Sequence, residues 1–226
     1  MFYLDIHTHR HRPQEGVYQI QSLSFNENLF LAMPKTKPVS MGLHPWYARL
    51  EQLQQDMAYL GVAARQENVK MIGECGLDKT RGESIEKQLI IFEQQLRLAQ
   101  ELNKPLIIHC VKAFDELIAL KKRLKPSIPL IIHGFQKNEA MALQLHRQGF
   151  YLSFGAALSH SPGLQQVIRR IDFPFFLETD DAPADIASIY EAVARLKKIA
   201  VEELKDRIFA LWKACQIYPG SPVRPY

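Results

Sequence analysis

Cysteine is scarce in this sequence, and its positions follow no recognisable pattern. Cys75, Cys110 and Cys215 are the three cysteines among 226 residues, and no two of them form a CxxC pair. An odd number of cysteines at such wide spacing does not indicate a disulfide framework or a zinc site built from paired thiolates. We therefore expect all three thiols to be reduced.

Long apolar runs are also missing. No stretch reaches the roughly 18 apolar residues that a transmembrane helix needs. Asp5 interrupts the short apolar run near the N-terminus before it could form the core of a signal peptide. We expect no membrane partner, no leader and a cytoplasmic location.

Neither sign of charge dominates the composition. Lysine and arginine total 28 against 24 acidic residues, which gives a formal net charge of +4. This excess is compatible with an anionic substrate, but it is too small to indicate nucleic-acid binding by itself.

What the sequence does contain is a series of eight short apolar runs, most of them followed by helical periodicity. The predicted strands are Phe2–Ile6, Gln19–Phe25, Val39–Leu43, Val69–Gly73, Pro105–Ile108, Pro129–Ile132, Phe150–Phe154 and Pro174–Leu177. The predicted helices are Leu50–Gln66, Ser84–Leu102, Ala113–Leu124, Glu139–Gln148, Gly163–Ile171, Asp185–Ala200 and Val201–Cys215. This alternation predicts a parallel α/β sheet, and eight strands match a (β/α)₈ TIM-type barrel. The length suits one domain, residues 1–226.

The connections after the first two strands are short. Residues 9–18 and 26–38 separate these runs, and Pro34 and Pro38 interrupt any helix in the second segment. A parallel crossover usually takes a dozen or more residues. We therefore expect the first helices of the barrel to be reduced or missing. The proline-rich residues 218–226 predict an extended tail.

Residues suited to metal binding stand at the ends of several predicted strands. Two histidines at i and i+2 point to the same side of an extended chain, and the C-terminal ends of barrel strands meet at one face. Such mixed nitrogen and oxygen ligands would hold two divalent cations that share a carboxylate. The six candidate ligands are His7, His9, Glu74, His109, His133 and Asp180.

Six motifs in this order make the chain resemble the TatD-related metal-dependent hydrolase family. They are Asp5-Ile6-His7-Thr8-His9, Gly42-Leu43-His44-Pro45-Trp46, Ile72-Gly73-Glu74-Cys75-Gly76-Leu77-Asp78, Pro105-Leu106-Ile107-Ile108-His109-Cys110, Ile132-His133-Gly134-Phe135 and Leu177-Glu178-Thr179-Asp180. The resemblance implies a metallo-dependent hydrolase barrel, two divalent cations and phosphodiester or DNA hydrolysis.

The resemblance also implies a role for each matching residue. One cation would be bound by His7, His9, Glu74 and Asp180, and the second by Glu74, His109 and His133. Asp180 would accept the proton of the attacking water, and Glu74 would bridge the two cations. His44 would lie near the substrate, although a turn histidine stacked on Trp46 is an equal alternative.

Two departures from the family pattern indicate a compact subgroup. Val111 stands where the family usually has arginine, and Lys112 follows it as a candidate substrate-binding cation. Lysine is a point charge without the bidentate fork of arginine, so the grip on phosphate would differ. The segment Asp181-Ala182-Pro183 is one residue longer than usual.

The predicted function is a divalent-metal-dependent hydrolase that cleaves phosphodiester bonds, with DNA as the expected substrate and Mg²⁺, Mn²⁺ or Zn²⁺ as the expected metal. An amidohydrolase acting on a small amide or lactone at the same metal site is an alternative, although no strand carries an obvious lysine that could bridge two cations. A non-catalytic metal-binding module is a further alternative.

Overall fold

The computed structural model describes residues 2–24 and 35–217 of the chain. The predicted tail at residues 218–226 lies outside the described residues, as does most of the segment that follows the second strand.

Eight strands confirm the predicted fold class. The strands are β1 (Tyr3–Thr8), β2 (Val17–Ser24), β3 (Val39–Gly42), β4 (Val69–Asp78), β5 (Leu106–Val111), β6 (Leu130–Ile132), β7 (Tyr151–Phe154) and β8 (Phe176–Leu177). They follow one another in the sheet in chain order. The pairs β2–β3, β3–β4, β4–β5, β5–β6 and β7–β8 are parallel. This sequential parallel order, with helices between strands, is the topology of a (β/α)₈ barrel.

Seven α-helices in the described part of the chain agree closely with the predicted ones. They are α1 (Leu53–Ala63), α2 (Ile85–Glu101), α3 (Phe114–Leu124), α4 (Glu139–Arg147), α5 (Pro162–Arg170), α6 (Ile186–Lys197) and α7 (Val201–Ala214). Short 3₁₀ turns cover Leu50–Gln52 and Ala156–Ser159. Three helix starts are explained by local chemistry, because Asn138, Ser161 and Asp185 each accept a hydrogen bond from a backbone N–H of the first turn.

Residues 9–16, all of them described, contain no helix between β1 and β2. The expectation of a missing first helix is therefore confirmed for this connection. The connection between β2 and β3 includes residues 25–34, which lie outside the described residues.

The chain divides into two compact units, which are described separately. Unit 1 comprises residues 1–20 and 133–226, and unit 2 comprises residues 21–132. The assignment of residues 1–226 to a single domain stays a prediction. Trp212, Tyr190 and Phe176 are among the large buried side chains of unit 1, and Phe92 and Met41 are among those of unit 2.

None of the helices in residues 2–24 and 35–217 is both long enough and apolar enough to span a bilayer.

Strand β4 is longer than its apolar run predicts. The predicted strand ends at Gly73, but β4 continues to Asp78, so Glu74 lies within the strand and not at its end. The pairing of β4 with β5 shifts register between Ile72 and Cys75. A Cβ atom on Gly76 would lie 2.0 Å from the carbonyl oxygen of His109. Glycine therefore permits the close approach of β4 to β5 that continues the strand past the predicted end.

Candidate metal centre

In unit 1, backbone pairing brings the first histidines of the chain to the residues after β8. Thr8 and Asp180 form a parallel bridge. The backbone N–H of Asp180 donates to the carbonyl of His7 over 2.9 Å, and the N–H of His9 donates to the carbonyl of Asp180 over 3.0 Å. Two hydrogen bonds between main-chain groups therefore set the positions of these three side chains.

Three donor atoms converge in this pairing. Nε2 of His7 and Nε2 of His9 each lie 3.4 Å from Oδ1 of Asp180. Two ligand atoms on one cation lie about 3.0 to 3.4 Å apart when each metal–ligand bond is about 2.1 Å long. His7 is fully buried, whereas 35% of the Asp180 side chain is exposed. The donor set and its spacing fit a divalent cation that is reached from solvent on the Asp180 side.

The Asp180 carboxylate is held in its charged form. Burial would raise its pKa, but hydrogen bonds from His7 and His9 hold the pKa of Asp180 well below its usual range. A carboxylate that stays ionised can bind a divalent cation.

His133 belongs to the same cluster within unit 1. Its ring centroid lies 4.3 Å from that of His7. The donor atoms of His7, His133 and Asp180 all lie within 4.8 Å of one another. Glu178 is buried, accepts a hydrogen bond from the backbone N–H of Gly134 over 2.6 Å and places Oε1 3.6 Å from Nδ1 of His133. The carboxylate thus orients the turn that carries His133.

Asp5 supports the cluster through Thr179, the residue before Asp180. Its carboxylate accepts hydrogen bonds from the backbone N–H of Thr179 over 3.0 Å and from the Thr179 hydroxyl over 2.7 Å. Burial raises the pKa of Asp5 to about 7, against the effect of these hydrogen bonds. Asp5 therefore holds the residue that precedes Asp180, a role that the motif alone did not assign.

Arg10 holds the segment that follows Asp180. Its Nη2 donates to the carbonyl of Ala182 over 2.8 Å and to that of Ala184 over 2.5 Å. Arg10, which is partly buried, therefore ties the segment Asp181-Ala182-Pro183 to the start of the chain.

Unit 2 contains a second cluster around Glu74. The donor atoms of His44, Glu74 and His109 lie within 4.8 Å of one another. The backbone N–H of Trp46 donates to Nδ1 of His44 over 3.2 Å, so the His44 proton lies on Nε2, which is 3.0 Å from Oε1 of Glu74. His44 is thus both a turn histidine next to Trp46 and a hydrogen-bond donor that holds Glu74.

His109 lies between two carboxylates. Its Nδ1 is 2.9 Å from Oε1 of Glu74, and its Nε2 is 3.1 Å from Oδ2 of Asp78. A neutral imidazole carries one N–H and can donate to only one of them. When Nε2 donates to Asp78, the Nδ1 lone pair faces Glu74, and a divalent cation can bind both atoms. The arrangement therefore fits a metal ligand oriented by Asp78.

Asp78 is itself fixed by several donors. Trp46 Nε1 donates to Oδ2 over 2.6 Å, and the backbone N–H of Thr80 donates to Oδ1 over 2.7 Å. Burial raises the pKa of Asp78, but hydrogen bonds from Thr80, Trp46 and His109 outweigh that effect and lower it to about 2. A charged, immobile carboxylate is suited to hold the His109 ring in one tautomer and one orientation.

Two buried glutamines of α2 complete this support, and sequence reasoning missed both. Gln88 accepts from the backbone N–H of Asp78 over 2.7 Å and donates to its carbonyl over 2.9 Å. Gln95 accepts from the N–H of Leu43 over 2.7 Å and donates to its carbonyl over 3.1 Å. The two glutamines are seven residues apart, so the helical period places both on the face of α2 that packs against the core. A polar residue at a core position of a helix is the sequence signal that could have identified them.

Within each unit, several of the predicted site residues come together. His7, His9, His133 and Asp180 come together in unit 1, and His44, Glu74 and His109 come together in unit 2. Lys112 follows β5 with an exposed side chain and a positive φ of 54°. Its contact with substrate stays a prediction, as do the sharing of Glu74 between two cations and the pairing of His133 with the second one.

This chain is similar in sequence to a known protein family and to several of its members. The family model described as TatD related DNase matches residues 14–215, a range that begins after His7 and His9. The chain is 29% identical over 185 residues to the uncharacterized metal-dependent hydrolase YabD of Bacillus subtilis, covering 73% of this chain and 71% of that protein. It is 26% identical over 216 residues to an uncharacterized metal-dependent hydrolase of Haemophilus influenzae, covering 85% and 81% of the two chains.

A solved structure shares the fold. The crystal structure of YJJV, a TatD homolog from Escherichia coli k12, superposes with a TM-score of 0.78 at 23% identity and covers 96% of this chain and 98% of its own. The family match spans most of the chain, and the donor clusters could hold the metal that a metal-dependent hydrolase requires. The chain belongs to the TatD related DNase family, whose relatives include metal-dependent hydrolases.

Proposed function

We propose that this protein hydrolyses phosphodiester bonds with the help of two divalent cations and that DNA is its substrate. One observation carries the proposal: each unit gathers imidazole and carboxylate donor atoms within 4.8 Å of one another. The family description as DNase and the relatives named as metal-dependent hydrolases support the reaction class.

The ligands are assigned by unit. His7, His9 and Asp180 would hold one cation in unit 1, because the two imidazoles face the same carboxylate oxygen at 3.4 Å. Glu74 and His109 would hold the other in unit 2, with Asp78 orienting His109. Nitrogen and oxygen donors together suit Mn²⁺ or Zn²⁺, and phosphoryl chemistry also suits Mg²⁺.

The residues divide the work of hydrolysis between them. A bound divalent cation lowers the pKa of a water molecule towards neutrality and neutralises charge on the phosphate. Asp180 would accept the proton of the attacking water, because its carboxylate lies beside the proposed ligands His7 and His9 and is partly open to solvent. Glu74 is held in place by the hydrogen bond from His44. The oxygen of the leaving nucleotide then takes a proton from Asp180 or from solvent.

The proposal is tested by hydrolysis of bis-p-nitrophenyl phosphate and of a labelled oligodeoxynucleotide. Treatment with EDTA abolishes turnover, and Mg²⁺, Mn²⁺ or Zn²⁺ restores it. Asp180→Asn lowers kcat by about 10² to 10⁴-fold, because a general base is lost while the shape of the site is kept. Asp181→Asn is the matched control, since Asp181 is the exposed neighbour of Asp180 and lies outside both clusters.

Three results would count against the proposal. One is phosphodiester turnover that survives removal of all metal, and another is full activity in Asp180→Asn. The third is turnover on a panel of small amides and lactones without any on phosphodiesters, which would move the reaction to carbonyl chemistry at the same site.

A further inference from the structure

Tyr47 is the most exposed of the large apolar side chains in the described part of the chain. It lies directly after the Pro45-Trp46 turn that follows β3, and 66% of it is exposed. Its backbone N–H donates to the carbonyl of His44 over 3.0 Å. The ring is therefore anchored three residues from a side chain that contacts Glu74.

Neighbouring rings hold Tyr47 in place. Its ring centroid lies 5.6 Å from that of His44 at a tilt of 41°, and 6.2 Å from that of Trp46 at 77°. Trp46 cannot turn easily, because its Nε1 donates to Asp78. A tyrosine held on one side and exposed on the other offers a rigid aromatic surface at low entropic cost.

A cation stands beside the same turn. The guanidinium of Arg81 lies 4.5 Å from the centre of the Trp46 ring. Lys79, two residues earlier, is neutralised by Glu116 at 2.6 Å. Within residues 2–24 and 35–217, by contrast, no carboxylate forms an ion pair with Arg81. A guanidinium placed in this way is available to an anion such as a phosphate.

We propose that Tyr47 stacks on a nucleobase of a single-stranded nucleic-acid substrate and that Arg81 binds the phosphate next to that base, an inference that rests on the proposed function. Stacking needs an open base face, which a duplex covers on both sides. Every base has such a face, so this contact would favour single strands over duplexes without reading their sequence. The turn thereby acts in positioning the substrate, and the chemistry stays with Asp180 and the cations.

The test compares steady-state cleavage of a single-stranded oligodeoxynucleotide by variants at this turn. Tyr47→Ala raises KM about tenfold or more, because loss of stacking on one base has about this effect, and kcat changes by less than about threefold. Tyr47→Phe restores the wild-type KM, since the ring is kept. Tyr59→Ala is the matched control, because Tyr59 on α1 is 39% exposed and lies outside the turn.

A substrate with a missing base isolates the stacking contact. In oligonucleotides of the same length that carry tetrahydrofuran abasic residues, wild type and Tyr47→Ala have the same raised KM. Arg81→Ala weakens the abasic and the base-bearing strand equally and reduces the salt dependence of binding by about one phosphate contact. Equal loss in Tyr47→Ala on both substrates, or a wild-type preference for duplex, would overturn the inference.

Failure of the inference is distinguishable from failure of the proposed function. If the wild type hydrolyses bis-p-nitrophenyl phosphate but Tyr47→Ala has an unchanged KM for the oligodeoxynucleotide, only the stacking role is refuted. If no phosphodiester is hydrolysed with Mg²⁺, Mn²⁺ or Zn²⁺, both the stacking role and the proposed function are refuted. Binding of a fluorescein-labelled hexathymidylate in EDTA gives a readout without turnover, and there too Tyr47→Ala weakens the affinity about tenfold.

Discussion

The two donor clusters differ in what holds their candidate metal ligands in place. In unit 1, main-chain hydrogen bonds between His7, His9 and Asp180 set the ligand positions directly. In unit 2, ligands on β4 and β5 are held by other side chains, with Asp78 on His109 and His44 on Glu74.

The difference shows that the same combination of imidazole and carboxylate donors can be positioned either by main-chain hydrogen bonds or by hydrogen bonds from other side chains. The unit 1 cluster has side-chain support as well, but Asp5 and Glu178 hold the backbone of Thr179 and Gly134, next to Asp180 and His133, and Asp180 remains partly exposed. A cluster built on side chains depends on a buried polar network, in which every missing partner leaves another group unsatisfied. Substitutions outside the ligands should therefore affect unit 2 more than unit 1.

The largest expected effect comes from replacing His7 and His9 together by alanine. The double variant loses one bound cation and keeps the one at His109, because the proposed assignment gives His7 and His9 to the first cation alone. Activity falls by about 10³-fold or more, since a bound cation both activates water and stabilises charge. Metal content by mass spectrometry of the dialysed protein gives the stoichiometry. His160→Ala, an exposed histidine, is the control, and retention of both cations would contradict the assignment of His7 and His9 as metal ligands.

Gly76→Ala should have the next largest effect, on folding. The new Cβ would lie 2.0 Å from the His109 carbonyl at a residue whose φ is +145°. We expect a loss of about 3 kcal/mol in the free energy of unfolding, measured by chemical denaturation. Gly61→Ala on α1 is the matched control, because nothing lies within 4 Å of its Cβ. That variant should gain up to about 1 kcal/mol, and equal stability of the two variants would show that β4 and β5 do not approach closely.

Asp78→Asn sharpens the comparison at the level of metal affinity. The uncharged asparagine side chain is a weaker acceptor for the hydrogen bonds of His109 and Trp46. Affinity for the unit 2 cation therefore drops about 10 to 100-fold. The unit 1 cation is unaffected. Titration of apo protein with Mn²⁺, followed by electron paramagnetic resonance, resolves the two affinities. Asp206→Asn, at an exposed position of α7, serves as the control, and an equal loss at both cations would refute the orienting role.

The smallest effect is expected at Gln95. Gln95→Ala leaves the N–H and the carbonyl of Leu43 without their partner and costs about 1 to 3 kcal/mol of unfolding free energy. The exposed neighbour Gln94 on the same helix is the control, and Gln94→Ala should change stability by less than about 0.5 kcal/mol. Thermal unfolding of the two variants measures the difference. Identical melting temperatures would mean that the hydrogen bonds between Gln95 and Leu43 do not stabilise the fold.

Local patterns account for the part of the fold that the sequence predicted well. The periods of apolar residues located all seven helices and all eight strands of the described chain, because burial of one face is a local property of each element. The end of β4 was wrong, since its last residues are paired through the glycine-assisted approach to β5 and not through an apolar run.

The roles of individual polar residues were harder to predict. Gln88 and Gln95 act on backbone groups that are distant in sequence, and no local pattern states which group a buried amide will meet. Trp46 was recognised as part of a motif, but its hydrogen bond to Asp78 joins two different strand ends.

The sequence by itself determined the alternation of strands and helices, the family and the identity of the candidate ligands, because these depend on residue type and on periods of a few residues. Only the tertiary structure decided that His133 lies with His7, that His44 holds Glu74 and that Asp78 orients His109. Contacts of this kind depend on distances of about 3 Å between groups tens of residues apart, and those distances are set by strand register and helix packing.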